Sequence, residues 1–225
     1  RRAGPAAAGM RTEGVRPIGT KLVIFDMDGV LTRPNSSWHV VHQALGTHNN
    51  DAYELYMARR IDDMEFIRAD VERWNSATPG ITVHRVREIL DRVPFQRGFH
   101  ATMESLERRG IPRAMISGGL MPLASRVAAE GGIHPFYAND AAYDEEGSFT
   151  GEGMVNVEVR SKGKYVRPIL EELDLLDAPG QVVAVGDSTV DLDMFAMCDL
   201  GIAFNPRDDG VRGGAHVVVD SDDLT

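Results

Sequence analysis

The sequence predicts an α/β protein, a parallel sheet with helices on both faces and a helical segment inserted after the first strand. Short β-branched apolar runs recur at Leu22–Phe25, Ala114–Ile116, Val182–Val185, Gly201–Phe204 and Val217–Val219, too short for helices and therefore read as buried strands. Helical patterns alternate with these runs, which is the order of a parallel sheet covered on two sides. Between about Pro34 and Pro94 no strand-like run occurs and apolar residues keep helical spacing.

Taken in order, Leu22–Phe25 is the first strand and runs directly into Asp26-Met27-Asp28-Gly29. The insertion follows. Trp38, Val41 and Leu45 form its first stripe, and Asp62 with Glu65 three residues on marks the start of a helix carrying Ile67, Val71 and Trp74. Val83, Val86, Leu90 and Val93 form a further stripe, giving about four short helices. Pro34 and Pro94 fall near the junctions, where a helix does not easily continue. Beyond the insertion, Ala101–Arg109 and Leu120–Ala129 read as helices stopped by Gly110 and Gly131, and Lys164–Leu176 as a third. The segment from Asp140 to Val159 has β-prone pieces around Gly147 and reads as a hairpin off the sheet edge.

A chain of 225 residues suits one domain with an inserted module. Its 34 acidic residues against 24 basic ones give a formal net charge of -10, the wrong sign for broad contact with a phosphate backbone, so nucleic acid is not an expected partner. Cys198 is the single cysteine, which excludes an intramolecular disulfide and a multi-cysteine metal site and fits the cytoplasm. Apolar runs fall short of the ~18–20 residues a membrane span needs. Residues 1–18 read as a loose tail without the apolar stretch of a secretory signal.

Ligands of open parallel sheets bind outside the carboxyl ends of the strands. There the sequence places Asp26 and Asp28, then Ser117-Gly118-Gly119, then Asp187 and Asp191, with Lys162 and Lys164 ahead of the strand that ends in Gly186. Carboxylates crowded on one rim repel each other unless a hard cation relieves them, and Mg²⁺ prefers one or two carboxylates plus substrate phosphate. Each residue alone has an ordinary reading as a turn, a cap or a solvated charge. Their joint occurrence, in this order at successive strand ends, is hard to obtain from turn chemistry and points to a functional site.

These segments resemble the four motifs of the haloacid-dehalogenase-like phosphohydrolases: FDMDGVLT the first, ISGG the second, SKGK the third and GDSTVD the fourth. The resemblance runs from Lys21 to Val219, and the stretch from Gly98 to Phe204 is most similar to the phosphoserine phosphatase branch. It implies a Rossmann-like three-layer core over 19–33 and 95–225, with 34–94 as a small helical cap. It also implies hydrolysis of a small phosphorylated metabolite. Asp26 is then the nucleophile and Asp28 the acid and base, with a pKa raised by its anionic neighbours. The Asp26 carboxylate, the Asp28 carbonyl and Asp187 would hold Mg²⁺. Ser117 and the amides after it, at a helix N-terminus, would take a phosphate oxygen together with Gly118 and Gly119. Lys162 supplies positive charge and Asp191 holds it, with Lys164 ranked second because it falls farther into the helix.

Weaker readings attach to other residues. His39 and His42 lack a third ligand and are left out of the metal site; Trp38 and Trp74 read as cap core, and Cys198 as buried and inert. Arg59, Arg60 and Arg68 are candidates to reach a substrate anion from the cap. In the phosphoserine branch a glutamate and a cap arginine recognise the substrate's amino and carboxylate groups, and ungapped counting puts Asn35 and Asp70 in their places. The expectation is therefore a sugar or cyclitol phosphate as substrate, contacted by Asn35 or Arg68, with phosphoserine as the alternative. A phosphomutase or a non-catalytic phosphate-binding protein are more distant ones.

Overall fold

The structure is a computed structural model and describes residues 19–225, so the expected tail at 1–18 lies outside the described residues. The first strand, β1 (Thr20–Phe25), is TKLVIF, and its last four residues are all buried. Four helices follow: α1 (Ser37–Leu45), α2 (Asn50–Met57), α3 (Asp63–Ala77) and α4 (Val83–Leu90). Ser36 caps α1 by accepting from the His39 amide. Asp62 and Glu65 form a reciprocal capping box at α3, and the Thr82 hydroxyl caps α4. Each side-chain oxygen satisfies an amide that a helix start leaves without an intrahelical partner.

The chain then alternates. Helix α5 (Phe99–Arg108) leads to β2 (Arg113–Leu120), α6 (Met121–Gly131), β3 (Phe136–Tyr143) and β4 (Phe149–Met154). A kinked 3-10 stretch, Val159–Tyr165, precedes α7 (Val166–Glu172) and β5 (Gln181–Gly186). A 3-10 turn at Thr189–Asp191 and α8 (Leu192–Ala196) lead to β6 (Leu200–Phe204), α9 (Asp209–Gly214) and β7 (Val217–Val219). Among the described residues the sheet has seven strands in the order β4-β3-β2-β1-β5-β6-β7. All pairs are parallel except β3 with β4, the expected edge hairpin. The architecture is a Rossmann-like α/β fold. Because β1 is central, with β2 on one side and β5 on the other, its carboxyl end is where the strand order reverses and a crevice opens.

Two apolar clusters cover the two faces. One joins Leu22, Ile24, Ala114, Ile116, Val182 and Ala184 to Val166, Ile169 and Phe195. The other joins Val23, Phe25, Met115 and Val185 to Leu123 and Val127 of α6 and continues into Val41, Ile67, Val71 and Trp74 of the inserted helices. The insertion thus packs through its apolar stripes onto the same body of side chains as one sheet face. Trp74 is fully buried there, stacked at 5.5 Å on Trp38.

Three local expectations change. The second strand runs on through Ser117, Gly118 and Gly119 to Leu120, so α6 starts four residues beyond Ser117. The extended backbone is stabilised where Ser37 Oγ accepts from the Leu120 amide at 2.9 Å. The helix expected from Lys164 is shorter and starts at Val166, because the backbone breaks from helical geometry at Ser161 (φ -133°, ψ 39°). The third strand reaches back to Phe136, with buried Asn139 inside it. The Asn139 Oδ1 accepts from the Asn156 and Val157 amides and its Nδ2 donates to the Val157 carbonyl, replacing ladder bonds by side-chain ones.

Candidate active site

Asp26 follows β1 directly and is 5% exposed. Its Oδ1 accepts from the Met27 amide at 2.7 Å and its Oδ2 lies 2.9 Å from Lys162 Nζ. Lys162, 1% exposed, also donates to Asp191 Oδ1 at 2.6 Å. Asp191 Oδ2 accepts from the amides of Asp187 and Ser188. Both oxygens of Asp191 are therefore engaged within the protein. Burial works against the Lys162 ammonium, but the carboxylates of Asp191 and Asp26 outweigh it and raise its pKa. Lys164 instead pairs with Glu158 at the surface, 2.5 Å away. The kink at Ser161 turns one lysine inward and leaves the other in solvent.

Asp28 is tied to the first inserted helix, its Oδ2 accepting from the Ser37 amide and hydroxyl, each at 2.8 Å. Its other oxygen, Oδ1, is buried with no hydrogen-bond partner among the described residues. The carboxyl is pushed up to about 6, chiefly by burial and only secondarily by the charge of Asp26. The cause expected from sequence, anionic neighbours, is thus the smaller one.

Two glycines allow this crowding. A Cβ on Gly119 would lie 2.6 Å from Asp28 Oδ2 and 2.7 Å from Ser37 Oγ. Gly29 has φ +79°, and a Cβ there would meet Asp187 Oδ2 at 2.0 Å. Only a residue without a side chain lets these strand ends close on the carboxylates.

The side chains surround a cavity of about 480 Å³ lined by Asp26, Asp28, Ser117, Gly118, Gly119 and Lys162 on the sheet side. Ser117 Oγ accepts from the Gly119 amide at 3.0 Å, so the hydroxyl and amide lie together, inside the strand and not at the helix start. Facing them from the inserted helices are Asn35, Trp38, Tyr53, Tyr56, Phe66 and Asp70. Trp38 is not only packing: its Nε1 donates to the Gly118 carbonyl at 2.9 Å. Asp187, 1% exposed, sits just behind the lining, its carboxyl pushed up to about 8 by burial and then by Asp26.

The structure does not bring Arg68 to this cavity. It is exposed and bound to Glu152 on β4 at 2.5 Å. Arg59 and Arg60 line a neighbouring depression. Asp70 is buried, with Oδ1 accepting from Asn49 Nδ2 at 2.5 Å and 2.7 Å from His42 Nε2, so His42 is a packing residue of the insertion. His39 is exposed. The Cys198 thiol is pushed up to about 12 by burial, in keeping with an inert role.

Two residues missed from sequence matter here, Ser37 and Arg207. Ser37 joins Asp28 to β2 through its hydroxyl. Arg207 contacts both oxygens of Asp187, with Nε 2.8 Å from Oδ2 and Nη2 donating to Oδ1 at 3.3 Å.

Oxygens of Asp26, Asp187 and Asp191 lie within 4.8 Å of one another, a hard-oxygen cluster suited to Mg²⁺. Asp26 lines the cavity and Asp187 lies just behind it, whereas Asp191 holds Lys162 and two amides, so Asp26 and Asp187 are the carboxylates placed for a cation. Asp187 Oδ2, buried and without a hydrogen bond among the described residues apart from its ion contact to Arg207, fits that role.

The chain belongs to the haloacid dehalogenase-like hydrolases, whose family model matches residues 20–199. It is 31% identical over 192 residues to a probable phosphoserine phosphatase of Schizosaccharomyces pombe, covering 83% of this chain and 62% of that protein. It is 27% identical over 191 residues to a phosphoserine phosphatase of Archaeoglobus fulgidus, covering 84% of this chain and 53% of that one. The chain thus spans less than two thirds of those relatives' lengths. The fold matches a substrate-bound phosphoserine phosphatase structure with a TM-score of 0.76 at 22% identity, over 92% of this chain and 95% of that one. These likenesses put it in the phosphoserine-phosphatase-like branch of the family. No helix among the described residues is long and apolar enough to cross a membrane.

Proposed function

We propose that this chain is a phosphoric monoester hydrolase acting on a small phosphorylated metabolite. The observation that carries the reading is the pairing of Asp26 with a fully buried Lys162 at one wall of a cavity that Asp28 also lines. A buried lysine facing an anionic site supplies fixed positive charge where phosphoryl oxygens gather. An Asp26 oxygen attacks phosphorus while the bond to the leaving oxygen breaks, and Asp28 gives that oxygen a proton. Water then attacks the aspartyl-phosphate, Asp28 takes its proton, and the bond to Asp26 breaks to release inorganic phosphate. Ser117 Oγ and the Gly118 and Gly119 backbone orient the phosphoryl group, and Asp191 holds Lys162. Asp26, Asp187 and the Asp28 carbonyl would hold Mg²⁺, which supplies charge neutralisation when bound.

For the substrate, the relatives' names support phosphoserine better than the sugar or cyclitol phosphate expected from Asn35 and Asp70. The charge argument against phosphoserine also weakens, because the Asp70 oxygen that would repel a carboxylate is bonded to Asn49 and His42. The 19–33, 34–94 and 95–225 division into core and cap remains part of this proposal, with the inserted helices closing the cavity.

The test is phosphate release from L-phosphoserine, a set of sugar phosphates and p-nitrophenyl phosphate, with Mg²⁺ and with EDTA. Turnover with Mg²⁺ that disappears in folded Asp26→Asn is expected, because the amide is nearly isosteric but not nucleophilic. Near-normal release by that variant would remove Asp26 from its role.

A further inference from the structure

Arg207 lies three residues beyond β6, and its side chain is 37% exposed. Its Nε and Nη2 cover Asp187 Oδ2 and Oδ1, its Nη1 donates to the Asn35 carbonyl at 3.2 Å, and its amide donates to the Asp187 carbonyl at 2.8 Å. Asp187 itself is 1% exposed, so a cation ligating its carboxylate meets the guanidinium fork first. Of the neighbouring carboxylates Asp191 is held by Lys162 and by amides, which leaves Asp187 to share a cation with Asp26.

We propose that Arg207 is the internal counterion of Asp187, released when a divalent cation binds, and that its freed guanidinium takes a second anionic group on the substrate. The second half rests on the hydrolase reading above. Of the described residues lining the cavity only Lys162 and Arg207 are cationic, and Lys162 is committed to Asp26 and Asp191. Once off Asp187, the Arg207 side chain is still tethered at the cavity wall, its Nη1 by the Asn35 carbonyl and its backbone by the Asp187 carbonyl. A planar guanidinium suits a carboxylate, which it binds through two parallel bonds. The inserted helices contribute no arginine to the lining, so carboxylate recognition comes from the core side of the cavity.

The experiment is calorimetric titration of the metal-free full chain with Mg²⁺, comparing wild type with Arg207→Gln. Removing a competitor for Asp187 tightens Mg²⁺ binding by at least about fivefold, the lower end of ordinary coupling between sites. Unchanged or weaker binding by the folded variant overturns the counterion. Should Arg207→Gln not fold, Arg207→Lys keeps a cation without the fork and is expected to tighten Mg²⁺ by a smaller factor, with no change again overturning it. The substrate half is read at saturating Mg²⁺ from two ester pairs, L-phosphoserine against phosphoethanolamine and 3-phosphoglycerate against glycerol 3-phosphate. Arg207→Gln is expected to raise KM for the carboxylate-bearing member at least about fivefold more than for the other member of its pair. Equal losses on both members, or no wild-type preference for the carboxylate in either pair, overturn that half. Failure of wild type on every ester would remove the hydrolase reading, and the titration would still decide the counterion.

Discussion

Replacing Lys162 with Met removes one ammonium while keeping most of the side-chain volume, so the effect reports charge more than packing. In the folded protein the ammonium sits 2.9 Å from Asp26 and 2.6 Å from Asp191, and all three side chains are buried. Breaking a buried ion pair by deleting one partner costs about 3–5 kcal/mol, because the remaining charge is left without compensation. Here two carboxylates lose the same partner, which puts Lys162→Met at or above the middle of that range. Urea unfolding in EDTA, followed by circular dichroism, measures the loss in the metal-free protein. Asp191→Asn in the Lys162→Met background removes one of the stranded charges, and a coupling of about 1–3 kcal/mol in the double-mutant cycle is expected. A loss below about 1 kcal/mol for Lys162→Met, or strict additivity in the cycle, would mean that the three charges are not a buried cluster. Activity is expected to vanish in Lys162→Met and not to return in the double variant.

Asp28→Asn removes the proton donor and is expected to slow alkyl phosphates by about 10²–10⁴-fold and p-nitrophenyl phosphate much less, since a good leaving group needs no proton; equal losses in steady-state kinetics would count against the acid role. Gly119→Ala puts a Cβ 2.5 Å from Met27 Cε and 2.6 Å from Asp28 Oδ2, so it is expected to cost about 1–3 kcal/mol in urea unfolding and to lower kcat; wild-type values for both would show that the strand ends are not so tightly apposed. Burial lifts the Asp140 carboxyl to about 6 from 3.8, so the folded state holds an extra proton in that window and stability falls as pH rises through it. Asp140→Asn is therefore expected to stabilise by about 1–3 kcal/mol at pH 7.5 and by less at pH 5, and equal effects at the two values would refute the assignment.

The strands were legible wherever a buried run was uniformly apolar, as in LVIF and VVAV, because burial on both faces leaves no polar alternation. The third strand was not, because FYANDAAY carries Asn139 and Asp140 on buried positions and only the tertiary bonds of Asn139 explain them. The convergence of Asp26, Asp28 and Asp187 was legible from their places at strand ends, and that of Lys162 from the family's motif order. The use of each oxygen was not. Whether Asp28 is raised by burial or by Asp26, and whether Ser117 belongs to a strand or a helix start, depends on how closely β2 packs against the first motif, which spacing does not encode. Ser37 sits beside the capping residue Ser36, and one serine of a pair gives no sign that it will bridge Asp28 and Leu120. Arg207 obeys the strand-end rule, but an arginine beside Asp208 and Asp209 reads as a solvated turn until the fold sets it against Asp187.

The charges explain why these contacts belong together. The clustered carboxylates of Asp26, Asp187 and Asp191 face Lys162 and Arg207, three negative groups against two positive ones when all are ionised. Such an arrangement is close enough to neutral to be buried, and its excess negative charge is relieved either by a proton, as the raised Asp187 carboxyl reflects, or by a cation. A divalent ion would reverse the sign of the cluster, and a phosphate ester would restore the balance from the cavity side. Asp28 feels the charges of Asp26 and Arg207 but stands outside their ion pairs, its Oδ2 fixed by Ser37. That separation leaves Asp28 free to carry a proton while its neighbours trade counterions, a division of labour that the two-residue spacing of the first motif makes possible.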